Sequence, residues 1–372
     1  MKVVSKALTV PVASEGGKPW PGYSEQSFNR ILELERKRSE RSKRGFALML
    51  LALDGPAEEI ADIGERIFSS LAATKREIDV LGWYRQDLIA GVILTEISGG
   101  SGSAPIKSIA ARVKARLALE LGPDEVKRVR IGFRFFPEKP DGLVLPGDLT
   151  LYPDIRQRLD SHEKGLWLKR VLDIFGALAA LVVLSPVFLI FAAMIKLGSK
   201  GPVFFRQQRV GQCGRMFTFL KFRSMYVDSD PSPHMEYTKS LILGEAKAAD
   251  GGERLFKLRD DPRITRLGRF LRSTSLDEIP QFLKVLTGEM SLVGPRPPIP
   301  YEGENYDPWH WRRVLEMKPG ITGIWQVSGR SRTTFDEMVR LDIHYMTHWS
   351  LWLDLKLIFK TPLAVLSGKG AY

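Results

Sequence analysis

Hydrophobic positions change their period along this chain, and each change marks an element. Phe46–Leu53 is a continuous apolar run of strand length. Ile60, Ile63, Ile67 and Leu71 then recur at helical spacing. Asp79–Tyr84 and Leu88–Ile97 read as two strands with a tight turn at Arg85-Gln86-Asp87, and Gly99–Ser103 as a loop. Ile106, Ile109, Val113 and Leu117 mark a second helix, and Val129–Phe136 a last strand. The order β-α-β-β-α-β predicts a ferredoxin-like α/β domain over residues 45–137. Ahead of it, residues 24–44 predict a charged helix with Phe28, Ile31 and Leu32 on one face and Leu34 off it. Its end is basic through Lys37, Arg38, Arg41, Lys43 and Arg44. Residues 1–23 hold glycines and prolines without periodicity and predict a flexible tail. Residues 138–165, rich in proline, glycine and charge, predict a linker.

The pattern then turns almost wholly apolar over 171–197, long enough to cross a bilayer. Ser185-Pro186 interrupts the run at its middle. Proline removes a backbone donor and crowds the preceding turn, so the helix is expected to break there. The serine hydroxyl can serve a carbonyl that proline frees. Lys164, Lys169 and Arg170 precede the run, and Lys196, Lys200, Arg206 and Arg209 follow it. Positive flanks favour the cytoplasmic side. A helix that enters, breaks and returns places both flanks there; a tilted span is the alternative. Further on, Trp349, Leu351, Trp352, Leu353, Leu355, Leu357, Ile358 and Phe359 alternate with Asp354, Lys356 and Lys360. That mixture suits a headgroup boundary or a core-facing helix equally.

The 372 residues allow two domains with separate cores. A net charge of +12 points to anionic partners without choosing among nucleic acid, acidic lipid and phosphorylated substrate. One cysteine, Cys213, excludes an internal disulfide and a cysteine-based zinc site. No apolar stretch of signal-peptide type is expected at the N-terminus. Basic residues are not interleaved with aromatics on one sheet face, so nucleic acid is not an expected partner. There is no Walker A loop and no dinucleotide fingerprint.

Residues 201–330 hold the parts that phosphate chemistry needs: cations around the oxygens, a nucleophile in line and a place for a metal. Lys221-Phe222-Arg223 follows the strand-like Met216–Leu220. Arg269 and Arg272 precede Ser273–Gln281, which contains Asp277-Glu278-Ile279-Pro280. Val293–Pro298 is a stiff loop whose prolines would hold Arg296 in a fixed pose. Ser275 is expected to cap a helix from Leu276, with Glu278 completing a capping box. The same geometry suits phosphate binding and a carboxylate nucleophile. Its acidic neighbour suits Mg²⁺, which takes one or two carboxylates plus phosphate oxygens and water.

Lys169–Asp173, Ser185-Pro186, Gly201–Gln207, Lys221–Met225, Leu271–Gln281, Val293–Pro297 and Pro319–Gln326 together resemble the bacterial sugar transferase family, the monotopic phosphoglycosyl transferases. The resemblance covers about residues 166–372. It implies a mainly helical, membrane-associated domain with a re-entrant membrane helix over 171–197. It also implies that Asp277 attacks the β-phosphate of a UDP-sugar, releasing UMP and forming a covalent phosphosugar-aspartate. A polyprenyl phosphate, usually undecaprenyl phosphate, then accepts the phosphosugar. Glu278 maps to the Mg²⁺ ligand, and Lys221, Arg223, Arg272 and Arg296 to phosphate-binding positions. The Trp325–Arg330 and Gly368–Tyr372 stretches look like exopolysaccharide-type members, which take UDP-glucose or UDP-galactose. The implied setting is the inner membrane, with both domains on the cytoplasmic face among its lipids; homo-oligomerisation stays open. The N-terminal domain resembles a degenerate GGDEF-type domain. Its central hairpin reads Tyr84-Arg85-Gln86-Asp87-Leu88 and lacks the glycines and acidic pair of the nucleotide-binding signature.

Weaker signals have plainer readings. Asp228-Ser229-Asp230 is a metal-type spacing but precedes Pro231 and suits a loop start. His344 and His348 share a helix face without an evident third ligand. Trp309 and Trp311 suit a sugar platform or an interfacial anchor. Arg259–Arg263 reads as a charged turn and Cys213 as a loop thiol. A membrane-tethered regulator that binds a nucleotide or partner through its N-terminal domain is the alternative to an enzyme.

Overall fold

A computed structural model describes residues 22–53, 57–95, 103–137, 149–227, 229–245, 261–328 and 333–366. The predicted tail up to residue 21, the loop at 99–102, the linker portion 138–148, Asp228, Arg259, Asp260, Arg330 and Gly368–Tyr372 lie outside the described residues. The described chain is mixed α/β, with one long apolar helix, and divides into two compact units, 22–137 with 149–158, and 159–366.

In the first unit, α1 (Glu25–Ser42) precedes β1 (Phe46–Leu53), α2 (Ala57–Thr74), β2 (Val80–Arg85), β3 (Ile89–Leu94), α3 (Ser103–Glu120), α4 (Pro123–Lys127) and β4 (Val129–Phe136). The strands pair antiparallel in the order β2-β3-β1-β4. The predicted order of strands and long helices is present, with the short α4 added. β1 is apolar throughout because both its faces are covered. Ala47, Met49 and Leu51 point into a core with Ile67, Leu71, Val113 and Leu117. Leu48 points the other way, onto Phe28 and Leu32 of α1. Both α1 side chains are fully buried, each worth roughly 1.5–3 kcal/mol. Gly82 and Gly91 admit α1: a Cβ at Gly91 would lie 2.6 Å from the Phe28 ring. Leu34 is exposed, off the buried face as its spacing predicts. Beyond α1, α5 (Pro153–Ser161) supplies Asp154, which pairs with fully buried Arg36 at 3.1 Å. The helix occupies part of the segment predicted as linker.

The second unit opens with α6 (Glu163–Gly198), which starts eight residues before the predicted apolar run. β5 (Phe204–Val210) and β6 (Met216–Phe222) form an antiparallel hairpin. Next come α7 (Ser232–Ile242), α8 (Arg266–Ser273), a 3-10 turn Leu276–Glu278 and α9 (Gln281–Thr287). β7 (Ser291–Val293) pairs parallel with β8 (Gly320–Thr322), and α10 (Ile324–Ser328), α11 (Phe335–Thr347) and α12 (Leu351–Leu366) close the unit.

Helix α6 is two-sided. Leu166 and Ala177 pack in the core beneath β7, α9 and α12. Leu184, Val187, Phe188, Phe191, Ala192 and Ile195 recur at helical spacing and pack on Phe204, Phe222, Leu271 and Ile279. The opposite side, with Trp167, Phe175, Leu178, Val183, Leu189 and Leu197, is apolar and exposed. The helix continues through Ser185-Pro186. There the Ser185 hydroxyl donates to the Val182 carbonyl at 2.8 Å, the carbonyl that Pro186 has no amide to serve. Two of the expected flanking charges have other work. Lys169 is buried and donates to Asp354 at 2.7 Å and to the Val293 carbonyl at 2.9 Å. Arg170 donates to the Val285 and Leu286 carbonyls of α9. Both fasten the helix to the unit and are not free to face headgroups.

Candidate active site

Asp277 and Glu278 sit in the 3-10 turn between α8 and α9. The expected helix from Leu276 does not form, because Pro280 lacks the amide that would bond the Leu276 carbonyl. Ile279 bonds that carbonyl instead, at 3.3 Å, closing a tighter turn. Ser275 has φ 57° and its side chain makes no capping bond. The capping box is therefore absent, and the Glu278 carboxylate is turned to a different partner.

That partner is Lys221 at the end of β6. Its ammonium lies 3.2 Å from Asp277 Oδ2 and 2.8 Å from Glu278 Oε1, so one cation joins both carboxylates. Burial opposes the charge on Lys221, but the two carboxylates outweigh it and raise the ammonium pKa. Arg272 comes from the last turn of α8. Burial lowers its pKa, with Asp277 and Asp261 opposing. Its Nη1 is buried without a hydrogen-bond partner among the described residues. The approach of α8 depends on Gly268, where a Cβ would lie 1.9 Å from the Ser224 carbonyl oxygen. Thr265 caps the helix by accepting from the Gly268 amide at 2.9 Å.

Arg209, whose sequence position marks it as a membrane flank, belongs to this cluster instead. It is buried, its guanidinium 4.6 Å from the Phe219 ring centroid, and it donates to the Pro297 carbonyl at 2.7 Å. Burial, then the charge of Arg296, lower its pKa to about 10, against Glu302, Tyr301 and Glu278. It thus stands electrostatically between the Asp-Glu pair and Arg296. Strand alternation carried a signal for it. Arg209 lies opposite Phe217 and Lys221 opposite Phe205, so both belong to the same face of the hairpin.

Arg223 does not join this cluster. It lies past the end of β6 and donates to the Ile195, Ser199 and Lys200 carbonyls and to the Ser199 hydroxyl. Its charge is spent on the C-terminal end of α6, where carbonyls lack helical partners and the dipole favours a cation. Trp311 packs on Tyr306 and Trp309 on His310. Asp230 accepts from the Ser232 amide at the start of α7, as a loop start requires.

Among the described residues no group of three or more His, Cys, Asp or Glu could hold a metal by itself. Two adjacent carboxylates nonetheless fit Mg²⁺ when phosphate oxygens and water complete its shell. The Glu278 side chain is 35% exposed beside the buried Asp277, which leaves it open to such a shell.

The bacterial sugar transferase family model matches residues 164–368, the segment that holds every member of this cluster. The chain belongs to that family. It is 48% identical over 204 residues to the galactosyl transferase CpsE of Streptococcus agalactiae, covering 55% of this chain and 43% of that protein. It is 43% identical over 207 residues to the undecaprenyl-phosphate galactose phosphotransferase of Salmonella typhimurium, covering 55% and 42%. The exopolysaccharide production protein ExoY of Sinorhizobium fredii is 41% identical over 204 residues, covering 55% of this chain and 88% of that protein. The chain thus spans less than half the length of the first two relatives and most of ExoY. The solved structure of a DGC protein from Thermotoga maritima matches 32% of this chain and 85% of that one at 18% identity and a TM-score of 0.27, too low to carry an argument. For a bacterial sugar transferase, the matched segment contains both the membrane-type helix α6 and the Asp-Glu pair, while β1 to β4 lie outside it.

Proposed function

We propose that the protein transfers a hexose-1-phosphate from a UDP-sugar to a polyprenyl phosphate, beginning the assembly of an exopolysaccharide or related glycan. The observation that carries this reading is the joining of Asp277 and Glu278 by Lys221, with Arg272 acting on Asp277, Arg209 on Glu278, and Arg296 beyond Arg209. Asp277 is the nucleophile. Its carboxylate oxygen attacks the β-phosphorus, the bond from that phosphorus to the bridging oxygen breaks, and UMP leaves. The phosphosugar is then held on Asp277 as an acyl phosphate. A phosphate oxygen of the acceptor lipid attacks the same phosphorus, the bond to Asp277 breaks, and the carboxylate is restored. Lys221 and Arg272 offset the charge spread over the equatorial oxygens, and Arg296 holds the remaining phosphate. Glu278 would hold Mg²⁺, which when bound supplies further neutralisation of phosphate charge. The relatives' names, with galactose and glucose in them, favour a hexose donor.

Although α6 runs unbroken through Ser185-Pro186, where a break is expected, its packing supports a helix whose two ends stay on the same side of the membrane. Its first half is fastened through Lys169, Arg170 and Ala177, and its second through Phe188, Phe191 and Ile195, to cores of one compact unit. A simple span would carry one end away from that unit. The exposed apolar side would then face lipid at the cytoplasmic surface of the inner membrane. For the first unit we propose a ferredoxin-like, degenerate GGDEF-type module with a regulatory or oligomerising role.

The test is release of UMP by purified protein given Mg²⁺, a polyprenyl phosphate and a panel of UDP-sugars. Asp277→Asn is expected to fold normally and lose at least about 10³-fold in turnover. With donor alone, wild type is expected to carry a phosphosugar adduct on Asp277 by mass spectrometry. Undiminished turnover in Asp277→Asn would remove it as the nucleophile.

A further inference from the structure

The loop Pro295-Arg296-Pro297-Pro298 contains a single backbone N–H, because three of its four residues are prolines. Residues 290–299 are buried except Arg296, which is partly exposed. Each of the loop's four carbonyls has a donor. The Gly320 amide donates to the Pro295 carbonyl at 2.9 Å, Arg209 to Pro297 at 2.7 Å, and the Val210 amide to Pro298 at 3.0 Å. Arg296 itself is engaged by one ion pair. Its carbonyl accepts from Arg313 Nη2 at 3.0 Å, and its amide lies close enough to the Asp342 carboxylate to favour the charged form. Arg313 and Asp342 are 2.7 Å apart and each is 1% exposed.

From this geometry we infer that Arg313 and Asp342 are a positioning pair for Arg296, Asp342 holding Arg313 and Arg313 holding the Arg296 carbonyl, so that the Arg296 guanidinium meets the donor's diphosphate. The role in catalysis rests on the proposed function; the grip on the loop does not. Two arguments support it. A buried ion pair is a poor stabiliser, since apolar residues of similar volume often serve a fold as well or better. This pair instead engages the backbone of a single loop residue, through the bond from Arg313 to the Arg296 carbonyl. The guanidinium of Arg296, by contrast, forms no ion pair among the described residues and lies 6.0 Å from the Trp325 ring centroid. The residue is thus anchored at its base and uncommitted at its charged end, the arrangement that orientation of a phosphate requires.

The test uses the full chain. Arg313→Lys keeps a cation for Asp342 but loses the longer, planar guanidinium whose Nη2 meets both Asp342 and the Arg296 carbonyl. It is expected to lower kcat/KM for UMP release by about 10²-fold, the scale of a small misplacement. In an Arg296→Ala background the same change is expected to lower it by less than about threefold further, because the residue it positions is gone. The double variant Arg313→Met/Asp342→Leu is expected to fold with a melting temperature near wild type yet show the same loss. Activity close to wild type in the folded double variant, or the full 10²-fold loss persisting in the Arg296→Ala background, would overturn the positioning role. Amide exchange gives a readout independent of turnover. The Arg296 amide, alone in 295–298, is expected to be protected in wild type and to exchange at least about tenfold faster in the double variant. Unchanged exchange would overturn the grip itself. A wild type inert with every donor would remove the catalytic role together with the proposed function, while exchange would still report whether the grip exists.

Discussion

His234 of α7 lies 2.8 Å from the Tyr301 hydroxyl and 3.4 Å from that of Thr238. Burial, then Arg296, lower its pKa from 6.5 to about 4, with Arg209 and Arg263 assisting and Glu302 opposing. The folded protein therefore holds this imidazole neutral, while the unfolded chain takes up a proton below pH 6.5. Stability from this residue is present above pH 6.5 and lost as pH falls to about 4, by up to about 3 kcal/mol. His234→Gln should flatten the fall of melting temperature over that window. Equal slopes in the two proteins would show that His234 is not held neutral. Single residues also show where sequence reading stops. Asp277, Glu278, Lys221 and Arg272 were legible because adjacent carboxylates between basic residues are a local pattern. Arg313 and Asp342 were not, because their meaning lies in burial against a loop far away in sequence. Arg223 misled for the opposite reason. Two residues from Lys221, it lies beyond the strand, where a helix end claims it.

Among the elements, α6 carries the sharpest local test. Ser185 serves the Val182 carbonyl that Pro186 leaves open. Ser185→Ala should lower stability in detergent by about 1 kcal/mol, the net worth of one hydrogen bond. Adding Pro186→Ala should recover most of that loss, because an alanine amide at 186 can bond Val182 directly. No recovery in the double variant, measured by thermal unfolding, would mean that the carbonyl is satisfied in another way. The strands of the first unit and the apolar core of α6 were legible from period alone. The start of α6 was not. Lys169 and Arg170 look like the flank of an apolar run, yet their charges are satisfied by Asp354 and by helix carbonyls within the fold. The expected helix at Leu276 failed on a single residue. Pro280 cannot complete an α-helical bond, so a 3-10 turn presents the carboxylates to Lys221.

At the scale of the molecule, the question is whether the chemistry needs the first unit. That unit has its own core on each face of its sheet, built from Ile67, Leu71 and Trp83 on one side and Phe28, Leu32 and Phe46 on the other. The family match begins at residue 164, beyond β1 to β4, and a match of 204 residues covers 88% of the ExoY protein of Sinorhizobium fredii. Every residue assigned a chemical role lies beyond residue 200. A chain beginning at residue 159 should therefore remain membrane-bound through the exposed side of α6. It should release UMP with a kcat/KM within about threefold of the full chain, as expected of units with separate cores. The measurement is the same donor assay on membranes washed free of soluble protein. A folded, membrane-bound fragment that lost more than about tenfold would place part of the active machinery in the first unit. It would also show that a core of its own does not make that unit a separable regulator.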